Sequence, residues 1–243
     1  MRVLYNNLLE SASLSATNED ANYPVENIYG NSLLPLFKAD TNSSVITCTL
    51  AEASTVSCFA FGNHNIDTLS IKLTDSLAAT TTYNYTASNL KFSNAVTQAM
   101  IYETAVDDVE EIEYTITSVD TLYIGGLSAG SALQFPYFNI NPKNGFVSTG
   151  EPQKSKNGVT FDNEGVVLET FGCTINNVDI TDYDLINAFF LAVQTYKPHF
   201  IDRWEESTDF PVLFAQQTRD FDWTKGKEGV ILDSLRLEWE VCK

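Results

Sequence analysis

The stretch Ser13-Leu-Ser-Ala-Thr-Asn-Glu-Asp-Ala-Asn-Tyr-Pro-Val-Glu-Asn-Ile28 precedes two runs in which apolar and polar residues alternate. These runs are Ser44–Leu50 and Thr55–Phe61, and the second closes on Phe61-Gly-Asn-His-Asn65. Alternation with a period of two places the apolar side chains on one face of an extended strand. The region therefore predicts two β-strands preceded by a turn-rich segment.

Further alternating runs follow along the chain. They are Thr68–Leu73, Glu111–Thr117, Thr121–Ile124, Gly158–Phe161, Gly165–Phe171, Pro211–Phe214 and Ser234–Val241. Clusters of Asn, Asp, Ser and Gly separate the early runs and supply the conformations that antiparallel turns need. The sequence predicts a mainly β chain that begins with a β-sandwich or jelly roll. The segments Ser76–Thr82 and Ser88–Gln98 have weak periodicity and predict a long loop with one irregular strand.

One segment has helical spacing instead. Its apolar residues are Leu185, Ile186, Phe189, Phe190 and Val193, which form a single stripe. Thr181 suits the N-cap, and Lys197-Pro198 suits the end. We predict a helix over about 181–197 that packs against a sheet.

Glycine and proline punctuate the middle of the chain, at Gly125–Gly130 and at Phe135–Pro142. A length of 243 residues allows two domains. We predict a β-sandwich over 1–138 and a β-rich domain over 139–243. Because this second domain contains the amphipathic helix and the acidic strand around Trp239, we predict that it makes the assembly contacts.

The charge balance excludes two classes of partner. Asp and Glu number 32 against 14 Lys and Arg, a net charge of −18, which repels nucleic acid and anionic membranes. Met1–Glu10 lacks the apolar core of a secretory signal. The apolar run Ile186–Val193 is far shorter than the roughly 20 residues of a membrane-spanning helix. We expect a soluble chain without membrane insertion.

Metals and cofactors are not predicted. Cys48, Cys58, Cys173 and Cys242 lack the paired spacing of a zinc site, so free core thiols are expected. If their two runs are neighbouring strands, Cys48 and Cys58 lie opposite one another. The acidic run 107–113 offers oxygen ligands to calcium, but it lacks a glycine-punctuated loop and predicts a solvated face.

The pentapeptide Gly126-Leu-Ser-Ala-Gly130 matches the nucleophile-elbow pattern of hydrolases, and Asp184 and His199 follow in the matching chain order. An elbow needs a strand, a tight turn and a helix among parallel βα units. The following residues contain Pro136 and strand-type aromatics instead. We therefore expect a glycine-rich interdomain turn and no enzyme activity.

Residues 9–65 resemble discoidin-like (coagulation factor type C, galactose-binding-like) domains in the form found in tail proteins of tailed bacteriophages. The resemblance rests on Ala12–Thr17 and on a set of marker residues. The markers are Tyr23, Pro24, Asn27, Gly62, His64 and Asn65. Residues 140–243 are similar to the small β domains of minor tail and distal-tail proteins. Together these imply an N-terminal jelly-roll β-sandwich followed by a C-terminal β domain with one packed α-helix.

The resemblance implies a structural subunit of a phage tail or tail tip, made in the host bacterial cytoplasm and located in the virion. Its partners would be other tail proteins and further copies of itself, with host-surface glycan as an additional contact. The alternative is a carbohydrate-binding, host-recognition protein without a ring-forming role. Aromatic rings stack on sugars, and the candidates are Tyr23, Tyr29, Tyr83 and Tyr85.

Overall fold

The structure is a computed structural model that describes residues 1–29, 32–34, 36–87, 98–135, 143–148, 153–154, 160–161, 167–178, 180–193, 197–203, 212–217, 222–225 and 232–242. The predicted mainly β fold is confirmed, and the described residues contain one α-helix. The strands up to residue 134 are β1 (Arg2–Leu4), β2 (Ser13–Ala16), β3 (Phe37–Lys38), β4 (Ser43–His64), β5 (Thr68–Asp75), β6 (Thr80–Thr86), β7 (Gln98–Thr117), β8 (Tyr123–Gly130) and β9 (Leu133–Gln134). The later elements are β10 (Lys143–Ser148), β11 (Gln153–Lys154), β12 (Thr160–Phe161), β13 (Val167–Val178), α1 (Ile180–Val193), β14 (His199–Asp202), β15 (Leu213–Gln217), β16 (Asp222–Lys225) and β17 (Leu232–Val241).

The chain forms two compact units. The first comprises Met1–Gln134, Pro198–Phe214 and Cys242–Lys243, and the second comprises Phe135–Lys197 and Ala215–Val241. The predicted boundary between residues 138 and 139 lies outside the described residues. After the helix the chain returns to the first unit. No change of composition in the sequence indicates this return.

Two long strands, β4 and β7, organise the first unit. The first half of β4 pairs antiparallel with the last part of β7, which also pairs with β5, and β5 pairs with β6. The second half of β4 pairs with the start of β7 and with β8. The β4–β7 register shifts three times between Thr49 and Cys58, and such irregularities bend strands. Both strands therefore contribute to two layers.

The two layers face one another across a core. Ile71 and Tyr114 come from the layer containing β5, and Phe59 and Phe61 come from the layer containing β8. The Tyr114 ring meets Phe59 and Phe61 edge to face, with centroids 6.2 and 6.0 Å apart. This geometry suits the aromatic quadrupole and adds to the burial of apolar area. The first unit is thus a β-sandwich.

The second half of β4 is buried on both faces. Phe59 and Phe61 point into the sandwich core, whereas Cys58 and Ala60 pack in a second cluster with Phe200. That cluster includes residues of β1 and β14, which pair antiparallel. Burial on both sides explains why this run is continuously apolar from Cys58 to Phe61.

The segment from Tyr23 to Ile28 forms a short 3-10 helix, Val25–Ile28, with Pro24 at its N-cap. Val25 and Ile28 are buried in the core, and the Asn27 side chain donates to the carbonyl of Leu36 at 2.9 Å. Gly62 lies so close to Leu33 that an added Cβ would sit 2.5 Å from its Cδ2. Asn27 therefore holds Leu36 in place, and the missing side chain of Gly62 allows Leu33 to approach the sandwich closely.

In the second unit β13 pairs with β10 and β17, and β17 also pairs with β15 and β16. Phe171 stacks on Trp239 with centroids 5.4 Å apart. The α1 residues Ile186, Phe189, Phe190 and Val193 are buried, and Phe189 meets Phe135 edge to face. No helix among the described residues is long and apolar enough to cross a bilayer.

Two details of the predicted helix are wrong. Thr181 lies inside α1 rather than at its N-cap, and Leu185 is 56% exposed although it was assigned to the buried stripe. At about 100° per residue, Leu185 lies about 80° from Val193 at the centre of the stripe, farther than Ile186, Phe189 or Phe190, so it falls at the solvent edge. Phe189, a buried member of the predicted assembly stripe, packs on Phe135 of its own unit, and the assembly role of the stripe stays a prediction. The predicted C-terminal turn, residues 194–196, lies outside the described residues.

Three further predictions, of strands, a loop and a turn, are also corrected. Ser44–Leu50 and Thr55–Phe61 belong to the single strand β4, so Cys48 and Cys58 do not lie on neighbouring strands. Part of the predicted loop 76–82 belongs to β6. The Gly126–Gly130 segment is part of the buried strand β8 and is not a turn. Small residues are needed there because a Cβ on Gly126 or Gly130 would clash with neighbouring atoms.

The prediction of free core thiols is confirmed for three of the four cysteines. Cys48, Cys58 and Cys173 are buried and Cys242 is partly exposed, and none forms a disulfide. Burial raises the pKa of the Cys48 and Cys173 thiols to about 12, which removes the reactive thiolate at neutral pH.

We expect a thiol reagent at pH 8 to label the native protein at Cys242 alone, because the other three thiols are buried and protonated. Counting modified cysteines by mass spectrometry measures this. In denaturant all four should react at once. Cys242→Ser should abolish the native signal, and fast labelling at Cys48 would contradict the fold.

Removing the Tyr114 hydroxyl should raise the free energy of unfolding by about 1 kcal/mol, because it is buried without a hydrogen-bond partner among the described residues. Tyr114→Phe keeps the edge-to-face packing. The matched control is Tyr102→Phe, because the Tyr102 hydroxyl donates to the buried Asp202 carboxylate at 3.3 Å. That change should cost about 1–3 kcal/mol. If urea denaturation shows that both variants lose the same free energy of unfolding, the Tyr114 hydroxyl is hydrogen-bonded in the folded protein.

Candidate ligand-binding depression

A depression of about 230 Å³ lies at one end of the sandwich. It is formed where β4 ends and β5 begins, and where β7 ends ahead of β8. Its lining residues are His64, Asn65, Ile66, Asp67, Ser118, Val119 and Asp120. Because β5 and β7 pair from Thr68 opposite Thr117, their adjoining loops meet at the same edge. The sheet register therefore brings together two segments more than 50 residues apart in sequence.

Hydrogen bonds hold the two loops in place. The Asn65 amide donates to the carbonyl of Thr121 at 2.8 Å, and its Oδ1 accepts from the Tyr123 N–H at 2.9 Å. The Asp67 N–H donates to the Thr117 carbonyl at 2.8 Å. Both polar ends of the Asn65 amide are thus committed to structure. A site with walls fixed in this way is largely preformed.

His64 forms the floor. It is buried, lies edge-on to Phe61 at 6.0 Å, and accepts the Ile66 N–H on Nδ1 at 3.2 Å. Burial lowers the pKa of His64 to about 4, because the charged imidazolium is poorly solvated there. The ring is therefore neutral at physiological pH, and its proton lies on Nε2 because Nδ1 is an acceptor.

The rim supplies groups of a different kind. Asp67 and Asp120 are exposed, and Val119 is 81% exposed. Two carboxylates offer only hydrogen-bond acceptors, while the Val119 methyls offer an apolar contact. Within the described residues no three His, Cys, Asp or Glu side chains are arranged to hold a metal. The depression thus suits a small ligand with several donor groups and an apolar face.

The tyrosines predicted to stack on sugar lie elsewhere. Tyr83 and Tyr85 belong to β6 rather than to loops, and their hydroxyls bond the Thr104 carbonyl and the Glu103 carboxylate. Tyr29 packs partly buried against the sandwich core. The Lys38 ammonium sits 3.9 Å from the ring centroid of Tyr23. None of the four lines the depression, and their role in sugar binding stays a prediction.

Two of the predicted marker residues, His64 and Asn65, do line the depression. Sequence reasoning missed their neighbours Asp67, Ser118, Val119 and Asp120. The available signal was weak: both segments are polar turns after alternating runs. Only the pairing of β5 with β7 shows that these turns are adjacent.

The hydrolase pattern is not assembled as an elbow. Ser128 lies within β8, pairs with Ala60 and is only 8% exposed. An elbow requires the serine on an exposed turn that leads into a helix. The surrounding strands pair antiparallel.

The chain is therefore a mainly β protein whose N-terminal sandwich carries a preformed depression at one end. No protein-family model matches the sequence, and no curated protein matches it. Among solved structures, the chain is similar to a mutant of the lectin-binding domain of Lectinolysin complexed with Lewis b. The identity is 10% and the TM-score 0.44, over 53% of this chain and 99% of that chain.

It is also similar to the family 32 CBM of C. perfringens NanJ in complex with galactose, at 17% identity and TM-score 0.44, over 55% of this chain and 100% of that chain. A third likeness is to a Ruminococcus gnavus fucosidase mutant in complex with fucose, at 11% identity and TM-score 0.44, over 54% of this chain. The chain spans 28% of the length of that fucosidase. TM-scores below 0.5 at such identities do not establish a family or a function.

His64 should titrate near pH 4, which NMR of the imidazole Cε1–H signal measures directly. The chain has only two histidines, so loss of one signal in His64→Gln identifies it. Its folded pKa is below the unfolded value of about 6.5, so its neutral form stabilises the fold above pH 6.5.

That stabilisation is lost as the pH falls from about 6.5 to 4. Over this window the stability difference between wild type and His64→Gln should shrink by up to roughly 3 kcal/mol. A His64 midpoint at or above pH 6 would show that the ring is solvated.

Proposed function

We propose that this chain is a carbohydrate-binding module and that the depression lined by His64, Asp67 and Asp120 holds one sugar residue. The observation that supports this most is the pairing of two acceptor carboxylates with an exposed apolar Val119 on hydrogen-bonded walls. Carboxylates accept hydrogen bonds from adjacent sugar hydroxyls, while a C–H face of the ring packs on apolar groups.

The volume of the depression and the charge of its rim restrict the class of sugar that it can bind. A volume of about 230 Å³ is smaller than the roughly 300–1,000 Å³ of sites for drug-sized ligands, which suits a terminal sugar. Asp67, Asp120 and the net charge of −18 repel anionic groups. The ligand we propose is therefore a neutral or amino sugar rather than a phosphorylated or sialylated one.

The proposed role is binding without catalysis and without a cofactor. A structural role in a bacteriophage tail, in the virion, stays a prediction from the sequence resemblance. A glycan-binding module is also compatible with a host-recognition role.

The test is a glycan array probed with the labelled full-length chain, with fucose, galactose and Lewis b among the printed sugars. Bound sugars are then titrated by calorimetry. We expect neutral terminal sugars to bind, and Asp67→Asn and Asp120→Asn each to weaken binding about 10-fold or more, because each removes a charged acceptor.

Asp108→Asn is the matched control. It makes the same charge change near the far end of β5, and its backbone φ of 55° suits asparagine. If both rim variants bind the sugar as tightly as Asp108→Asn does, the sugar binds elsewhere on the chain. An array without any bound glycan would overturn the function itself.

A further inference from the structure

The rim of the depression carries negative charge that no described side chain beside it balances. Asp67 and Asp120 line the depression and are exposed, and its lining contains no Lys or Arg. Neither carboxylate makes a hydrogen bond or an ion pair with a described residue. A cationic group of a ligand placed at this rim is attracted by both carboxylates.

The basic side chains of the same part of the chain are engaged elsewhere. Each of the three that the structure describes within residues 1–135 lies against another side chain: Arg2 is 4.2 Å from the ring centroid of Tyr102, Lys38 is 3.9 Å from that of Tyr23, and Lys72 is 3.5 Å from Glu113. A cation that compensates Asp67 and Asp120 is therefore most readily supplied by a ligand.

A buried hydroxyl in the same depression also indicates a polar ligand. Ser118 lines the depression, is only 6% exposed, and its hydroxyl makes no hydrogen bond with a described residue. Its backbone is fixed, because the Ser118 N–H donates to the Asn42 carbonyl at 2.8 Å. A buried hydroxyl without a partner costs free energy, which a polar ligand atom recovers by hydrogen bonding to it.

The acceptors suit an organic ammonium group better than a metal ion. Calcium takes six to eight oxygen ligands, and within the described residues no three His, Cys, Asp or Glu side chains are arranged to hold a metal. A primary ammonium group has three donors. Asp67, Asp120 and the Ser118 hydroxyl offer three acceptors, and the exposed Val119 offers an apolar contact beside them.

We propose that the depression selects amino sugars in their protonated form. The ammonium group donates to Asp67, Asp120 and Ser118, and a C–H face of the sugar ring packs on Val119. This inference rests on the proposed function and specifies its ligand class. Neutral sugars bind more weakly, through their hydroxyls alone. N-acetylation removes the charge of the amine and two of its three donors, so it removes the preference.

Calorimetric titration of the full-length chain with three methyl glycosides tests this inference, because the three differ only at carbon 2. Methyl glucosaminide carries an amine there, methyl N-acetylglucosaminide an acetamide and methyl glucoside a hydroxyl. The matching galactose derivatives form a second series. At about pH 6, where amines are protonated, and about 20 mM salt, we expect the amine of at least one series to bind about 10-fold or more tightly than its two counterparts. About 300 mM salt should reduce this preference, because the rim carboxylates are exposed and screened.

Asp67→Asn and Asp120→Asn should each lower the ratio of the amine affinity to the methyl glucoside affinity by about 3-fold or more, because each removes one charge that attracts the ammonium group. Asp108→Asn, near the far end of β5, is the matched control and should leave the ratio unchanged. Circular dichroism checks that each variant is folded.

The outcomes separate this inference from the proposed function. If the three glycosides of both series bind equally, or if Asp108→Asn lowers the ratio as much as the rim variants do, the inference is wrong and the proposed function stands. If no glycoside and no sugar on the array binds, the proposed function fails and this inference fails with it. If butylammonium binds as tightly as the amine glycoside, the depression recognises an ammonium group without a sugar, which also overturns the inference.

Discussion

The first unit depends on the antiparallel pairing of β4 with β7. These strands are long enough to contribute to both layers of the sandwich, and their shifted register between Thr49 and Cys58 allows the bend. Each layer then buries its alternate residues against the other, around the ring of Tyr114. The hydroxyl of that ring has no hydrogen-bond partner among the described residues, so the ring is held in place by packing.

The depression follows from a second pairing, that of β5 with β7. Because β5 begins at Thr68 opposite Thr117 at the end of β7, the residues next to both positions emerge at one end of the sandwich. Burial keeps His64 neutral below these loops, and Asn65 joins them by two hydrogen bonds. The exposed carboxylates of Asp67 and Asp120 line the same depression, and in the proposed function they disfavour anionic ligands.

Local patterns in the sequence predicted most of the strands and the helix. Period-two alternation located β5 and the first half of β4, because one face of each is buried. It also located β17 and the second half of β4. It failed for β6, whose Thr, Asn and Tyr residues lack apolar alternation although Tyr83 and Tyr85 face inward. It also failed for β8, because the glycines of this strand were interpreted as a turn although they admit Leu33 and other close neighbours.

The sequence by itself determined the mainly β class, the acidic surface, the buried thiols and one packed helix, because each depends on composition or on short-range periodicity. Only the tertiary structure decided that residues 198–214 return to the first unit and that residues 64–67 meet 118–120. Both depend on pairing between segments distant along the chain. The backbone hydrogen bonds that join paired strands are the same in every sequence, so no local pattern shows which distant segments pair.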